Sequence, residues 1–137
     1  MAAALTLDEA QRLVQTCLDK ARGMSLNVSI AVVDAAGIPI ASVKMDRAGS
    51  LTPDVAYGKA FAAVSFRRSG KEMADAWGPG HPVAAAMVAR TGGRFVAGQG
   101  SLLLRDGDDV AGAIGVSGAR SDQDEEIAQA GVDSFRR

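Results

Sequence analysis

The chain is poor in residues that build covalent or metal cross-links. It has one cysteine, Cys17, and one histidine, His81. A lone cysteine excludes an intrachain disulfide and a cysteine-based zinc cluster, and a lone histidine excludes a His-rich metal centre within one chain. Charge of one sign is also scarce, with 15 basic residues against 16 acidic ones. Without a basic field there is no long-range attraction for a polyanion, so neither nucleic acid nor an anionic membrane is expected as a partner. No apolar run approaches the roughly 18 residues of a membrane span. The first residues include Asp8 and Glu9 and no basic stretch leading into a long apolar one. No secretory signal is read there, and a cytoplasmic protein is expected. Aromatics are few: one Trp, one Tyr and four Phe.

What is present is apolar. Of the 137 residues, 47% are hydrophobic, enough for the core of one domain spanning 1–137. Thr6 and Glu9 have capping-box spacing, and Leu7, Ala10, Val14, Cys17, Leu18 and Ala21 then share one helical face up to Gly23. Cys17 on that face reads as core. Val28–Val33 is a β-prone run. Asp34–Gly37 makes a turn, and residues 38–45 return as the second strand of a hairpin. A second helix starts at Thr52 with Pro53 at its first position, and carries a stripe of Ala56, Ala60 and Ala63 beside Tyr57, Phe61 and Val64. Ser69 and Gly70 interrupt it, and a shorter helix through Trp77 follows.

Two prolines and two glycines surround His81 and force a loop. A short helix is expected over 83–90, then short strands near 95–97 and over 101–105. Asp106-Gly107-Asp108-Asp109 is a hairpin turn, and 110–116 is the last strand. Its Gly112 and Gly115 signal close approach of a backbone, a helix or a ligand. Ser121 is read as the cap of a final helix. Strands come in adjacent pairs, so the expected class is α+β, an antiparallel sheet with helices on both faces.

Three blocks carry a resemblance. They are Ser29–Asp34 with Gly37, Ser42 and Met45-Asp46; Lys59-Ala60 with Ala62-Ala63; and Gly112–Gly118 followed by Gln123-Asp124-Glu125 and Ile127-Ala128. In this order they resemble the GlcG/HbpS family, which includes the C-terminal domain of PduO-type proteins. The resemblance covers nearly the whole chain and is weakest from Lys71 to Gly100. It implies a profilin-like fold of α/β/α layers with a five-stranded antiparallel sheet, and association into dimers or larger homo-oligomers. Some members bind or degrade haem, and others sit in aromatic-compound pathways as reported hydrolases or lyases. The expected function is therefore a small-molecule-binding protein with haem as a candidate ligand. The alternatives are a hydrolase, lyase or tautomerase acting on a small carboxylated or aromatic-derived metabolite, and a non-catalytic accessory subunit.

The residues offer several groups for this chemistry. His81 is the nitrogen donor available as a haem axial ligand, and Met45, Tyr57 and Lys59 are further candidates. Lys59, which matches the lysine of the family's second-helix motif, lies in an Ala-rich helix where lost solvation would favour proton transfer or capture of a carboxylate. Tyr57, Lys59 and His81 are thus the catalytic candidates. Tyr57 and Lys59 point to different sides of the helix. Gly115, Ser117 and Gly118 stand where the last strand meets the final helix, whose amides suit an anion. With Met45 and Lys59 they make up the expected ligand site. Asp122 and Asp124 are explained there by the helix dipole alone. No nucleophile–base–orienter set is legible.

Overall fold

The computed structural model describes residues 2–137. Its elements are α1 (Leu7–Gly23), β1 (Ser29–Asp34), β2 (Pro39–Lys44), α2 (Thr52–Phe66), α3 (Gly70–Trp77), α4 (Pro82–Arg90), β3 (Ser101–Asp106), β4 (Asp109–Ser117) and α5 (Ser121–Ser134). The strands form one antiparallel sheet in the order β2-β1-β4-β3.

Alternation along the two central strands divides the core. Ile30, Val32, Ile114 and Val116 face α1 and α5, while Val33 and Ala113 join the alanines of α2 on the opposite face. The α+β class and the two helical layers follow from this two-sided burial. Pro39 begins β2, an edge strand where its missing N–H is tolerated.

α1 opens on the expected reciprocal cap. The Glu9 amide donates to Thr6 Oγ1 at 3.1 Å, and the Thr6 amide donates to Glu9 Oε1 at 3.0 Å. Leu7 departs from the expected face and is 54% exposed. Leu5, just before the cap, is buried in the same core cluster as Ala10, and Leu13 completes the buried face. Cys17 is fully buried, and desolvation pushes its thiol up to about 12.

The sheet has four strands where five were expected. The expected strand near 95–97 is irregular, because its backbone turns to a helix and not to a strand. The Val96 amide donates to the Gly58 carbonyl of α2 at 3.2 Å, and the buried Phe95 ring packs edge-on against Phe66. The final helix begins on Ser121 itself, with Arg120 as the capping residue.

The strand glycines are spent on backbone contact. A Cβ on Gly115 would lie 2.0 Å from the Ala56 carbonyl oxygen, and one on Gly112 would lie 2.2 Å from that of Val33. Ala56, Ala60 and Gly115 are thus one packing device: small residues let α2 lie directly on β4. At Gly115 the space that the sequence left open to a ligand is filled by a helix.

Candidate functional site

Lys59 was expected to face an open pocket beside β4. The fold instead carries it inward, and it is 7% exposed. Its Nζ donates to the Val116 carbonyl at 2.9 Å and to Asp124 Oδ2 at 3.1 Å. Asp124 Oδ1 accepts the Ala119 amide at 3.0 Å, so one carboxylate ties α2 to the turn between β4 and α5. Burial pushes the Asp124 carboxyl above its ordinary value, and the Lys59 ammonium opposes that rise. With both partners engaged inside the protein, the arrangement is a brace. Asp124 is the site-like residue the sequence reading missed. The available signal was that a lysine buried in an alanine-rich helix needs a counter-charge.

Tyr57 lies elsewhere. Its hydroxyl reaches the Gly37 carbonyl at 3.5 Å and its ring stacks on Phe61. Met45 Sδ accepts the Val28 amide at 3.4 Å, beside a shallow depression near Lys44 and Asp46. Ser117 is buried opposite Ser29 in the β1–β4 ladder. Gly118 stands at φ +137°, and a Cβ added there would lie 2.9 Å from the Asn27 carbonyl oxygen. Thus Lys59, Ser117 and Gly118 gather around the end of β4, with Gly115 under α2, and none of them lines the two larger depressions near Ala2–Leu5 and Trp77. Tyr57, Met45 and His81 each sit in other surroundings.

The groove that could take a ligand lies between α3, α4 and the segment 93–97. It holds about 760 Å³, and Met73, Trp77, His81, Ala85, Val88 and Phe95 are among its lining residues. Its lining includes no Lys, Arg, Asp or Glu. A second depression of about 420 Å³, near Ala2–Leu5 and Arg67, lacks aromatic walls. α3 is held by a second capping box, Ser69 with Glu72, and its far end places Trp77 against Phe66 and Phe95. α4 differs from the other helices in burying none of its residues, although its sequence is almost wholly apolar. It therefore forms a wall and not a core element.

His81 is the N-cap of α4. Its Nδ1 accepts the Val83 amide at 3.2 Å, and its ring stacks on Trp77 with centroids 6.0 Å apart. Pro82 follows at the first helical position and needs no partner for an amide it lacks. Among the described residues, no group of three or more His, Cys, Asp or Glu side chains is placed to hold a metal ion, and no helix is long and apolar enough to cross a membrane.

A family model described as "Haem degrading protein HbpS-like" matches residues 5–133. The chain belongs to the HbpS-like family. It is 30% identical over 133 residues to an uncharacterized 15.0 kDa protein of the dhaT-dhaS intergenic region of Citrobacter freundii, covering 97% of this chain and 93% of that one. It is 28% identical to corrinoid adenosyltransferase PduO of Salmonella typhimurium, covering 94% of this chain but only 38% of PduO. It is also similar to the solved PduOC–haem complex, at 25% identity and a TM-score of 0.87, covering 97% of this chain and 96% of that one.

In this HbpS-like chain the motif residues are largely packing residues. Lys59 comes from the second block of resemblance and Asp124 from the third, and they are the two ends of the buried ion pair. Gly115 of the third block lies under α2, whose Ala60 belongs to the second. The groove is built from residues 73–97, within the stretch where the resemblance is weakest. Membership therefore speaks for the scaffold, while the groove chemistry is read from the groove's own residues.

Proposed function

We propose that this HbpS-like chain is a small-molecule-binding protein whose ligand occupies the groove between α3, α4 and residues 93–97, with haem as the first candidate. The observation that carries the reading is the groove itself. Its volume of about 760 Å³ falls in the usual range for ligand sites, and Trp77, Phe95 and Met73 provide apolar walls. Similarity to the PduOC–haem complex supports haem as the first molecule to try.

The walls fit a flat apolar macrocycle, for which Trp77, Phe95 and Val88 would supply contact. The iron-ligand position fits less well. His81 presents to the Val83 amide the ring nitrogen that a ligating imidazole would need protonated. No catalytic step is assigned to the site. The enzyme reading would use Lys59, Tyr57 or His81 for proton transfer, and in this chain these side chains engage Asp124, Gly37 and Val83 respectively. A symmetric homo-oligomer remains part of the proposal, supported by exposed Leu51 at 69% and Ile38 at 57%. A cytoplasmic location is proposed with it.

The test uses the single tryptophan as a reporter, since Trp77 lines the groove. Haemin added to the protein should quench its fluorescence saturably. Haemin binding that leaves Trp77 fluorescence unchanged would place the ligand elsewhere.

A further inference from the structure

The groove carries an unbalanced set of polar groups. Its lining includes no Asp, Glu, Asn, Gln, Ser, Thr or Tyr, so no side-chain oxygen is available to accept a hydrogen bond. The nitrogen-bearing side chains of the lining are those of Trp77 and His81. An indole nitrogen only donates. A neutral imidazole donates from one nitrogen and accepts at the other, and the partner of one nitrogen sets the state of the other. Here the partner is known. Nδ1 faces the Val83 amide at 3.2 Å, so it must be the unprotonated acceptor and Nε2 carries the hydrogen.

That tautomer is the wrong one for an axial ligand. A ligating Nε2 needs its lone pair free and its proton on Nδ1, where it is ordinarily given to a carbonyl or carboxylate. On His81 that proton would point at another N–H. Ligation through Nδ1 would instead strip the cap from α4. The surroundings hold the ring in place. Pro82 fixes the chain on one side, and Trp77 stacks on the ring at an interplanar angle of 27°.

We propose that His81 and Trp77 act in this groove as hydrogen-bond donors, and that the ligand is a flat, largely apolar molecule bearing a carboxylate or carbonyl oxygen, bound without iron ligation by His81. The proposal rests on the groove being the ligand site. It deepens that reading by naming what the ligand must present. A porphyrin would then be held by its face and its propionate oxygens, with the metal incidental.

The test titrates haemin and metal-free protoporphyrin IX against Trp77 fluorescence, in the parent and in His81→Asn. Asparagine is a favoured N-cap, so the variant keeps an acceptor for the Val83 amide while losing Nε2–H, and its own side-chain N–H stops short of the position Nε2 held. Circular dichroism checks that it folds. The two porphyrins should bind the parent within about threefold of each other. His81→Asn should weaken both by about tenfold, the loss of one hydrogen bond to a charged acceptor. Haemin binding more than about tenfold tighter than the metal-free porphyrin, with that advantage lost in His81→Asn, would overturn the donor role and leave the groove as the site. Unchanged binding of both porphyrins by the variant would also overturn it. Failure of either porphyrin to quench Trp77 would remove the groove as their site, and the donor role with it.

Discussion

Lys59 Nζ lies 3.1 Å from Asp124 Oδ2, with both side chains under a tenth exposed. The pair joins residues 65 positions apart and locks α2 to α5 across the end of the sheet. Removing one partner leaves a buried charge without its counter-ion, which costs far more than the intact pair contributes.

Lys59→Met should therefore destabilise the protein by about 3–5 kcal/mol. The double variant Lys59→Met/Asp124→Leu should recover part of that loss, because neither charge is then stranded. Urea unfolding of both singles and the double closes the cycle. Additive effects would show that the two side chains are not coupled.

Gly115→Ala should also destabilise. The added Cβ would meet the Ala56 carbonyl at 2.0 Å, and backbone on both sides cannot yield as a side chain can. A loss at or above the usual overpacking cost of about 1–3 kcal/mol is expected, read as a lower melting temperature. A variant as stable as the parent would mean that α2 does not lie on β4 as described.

Ala85→Phe should separate binding from folding. Ala85 lines the groove on α4, a helix that buries no residue. The larger ring should fill the groove and reduce porphyrin binding more than about tenfold, while thermal stability stays within about 0.5 kcal/mol of the parent. Retained binding would place the ligand outside this groove.

Acid sensitivity should involve the chain ends. Arg137 donates to Glu9 Oε1 at 2.7 Å and to the carbonyls of Ala3 and Ala4. The hydrogen bond from Arg137, aided by the Thr6 amide, holds the Glu9 carboxyl down to about 2 from 4.5. A lowered folded-state value means that the stabilisation is present above 4.5 and is lost as pH falls toward 2. Glu9→Gln should flatten the stability profile over that window, measured by denaturant unfolding at successive pH values. An unchanged acid limb would show that the contact contributes nothing.

Light scattering at micromolar concentration should report at least a dimer. A monomer alone would overturn the proposed homo-oligomer, leaving Leu51 and Ile38 as isolated surface residues.

Local chemistry was legible where short-range rules apply. The Thr6–Glu9 capping box, the Asp106–Asp109 turn, the small-residue stripe of α2 and the burial of Cys17 each depend on residues close in the chain or on helical period, which spacing displays. The family was legible too, since its motif residues stand in order along the chain. Four matters were settled only by tertiary structure. Gly115 reads the same from sequence whether a ligand or a helix fills the space above it, and α2 fills it. Lys59 reads as a free cation until Asp124, a long way along the chain, is brought against it by the packing of α5. Residues 95–97 have β-prone composition, yet their backbone is drawn to Gly58 of α2 and Phe95 to the aromatic cluster, so the sheet stops at four strands. His81 could be seen in the sequence, but its tautomer could not. That depends on which nitrogen meets the Val83 amide, a matter of distance and direction that residue order does not record.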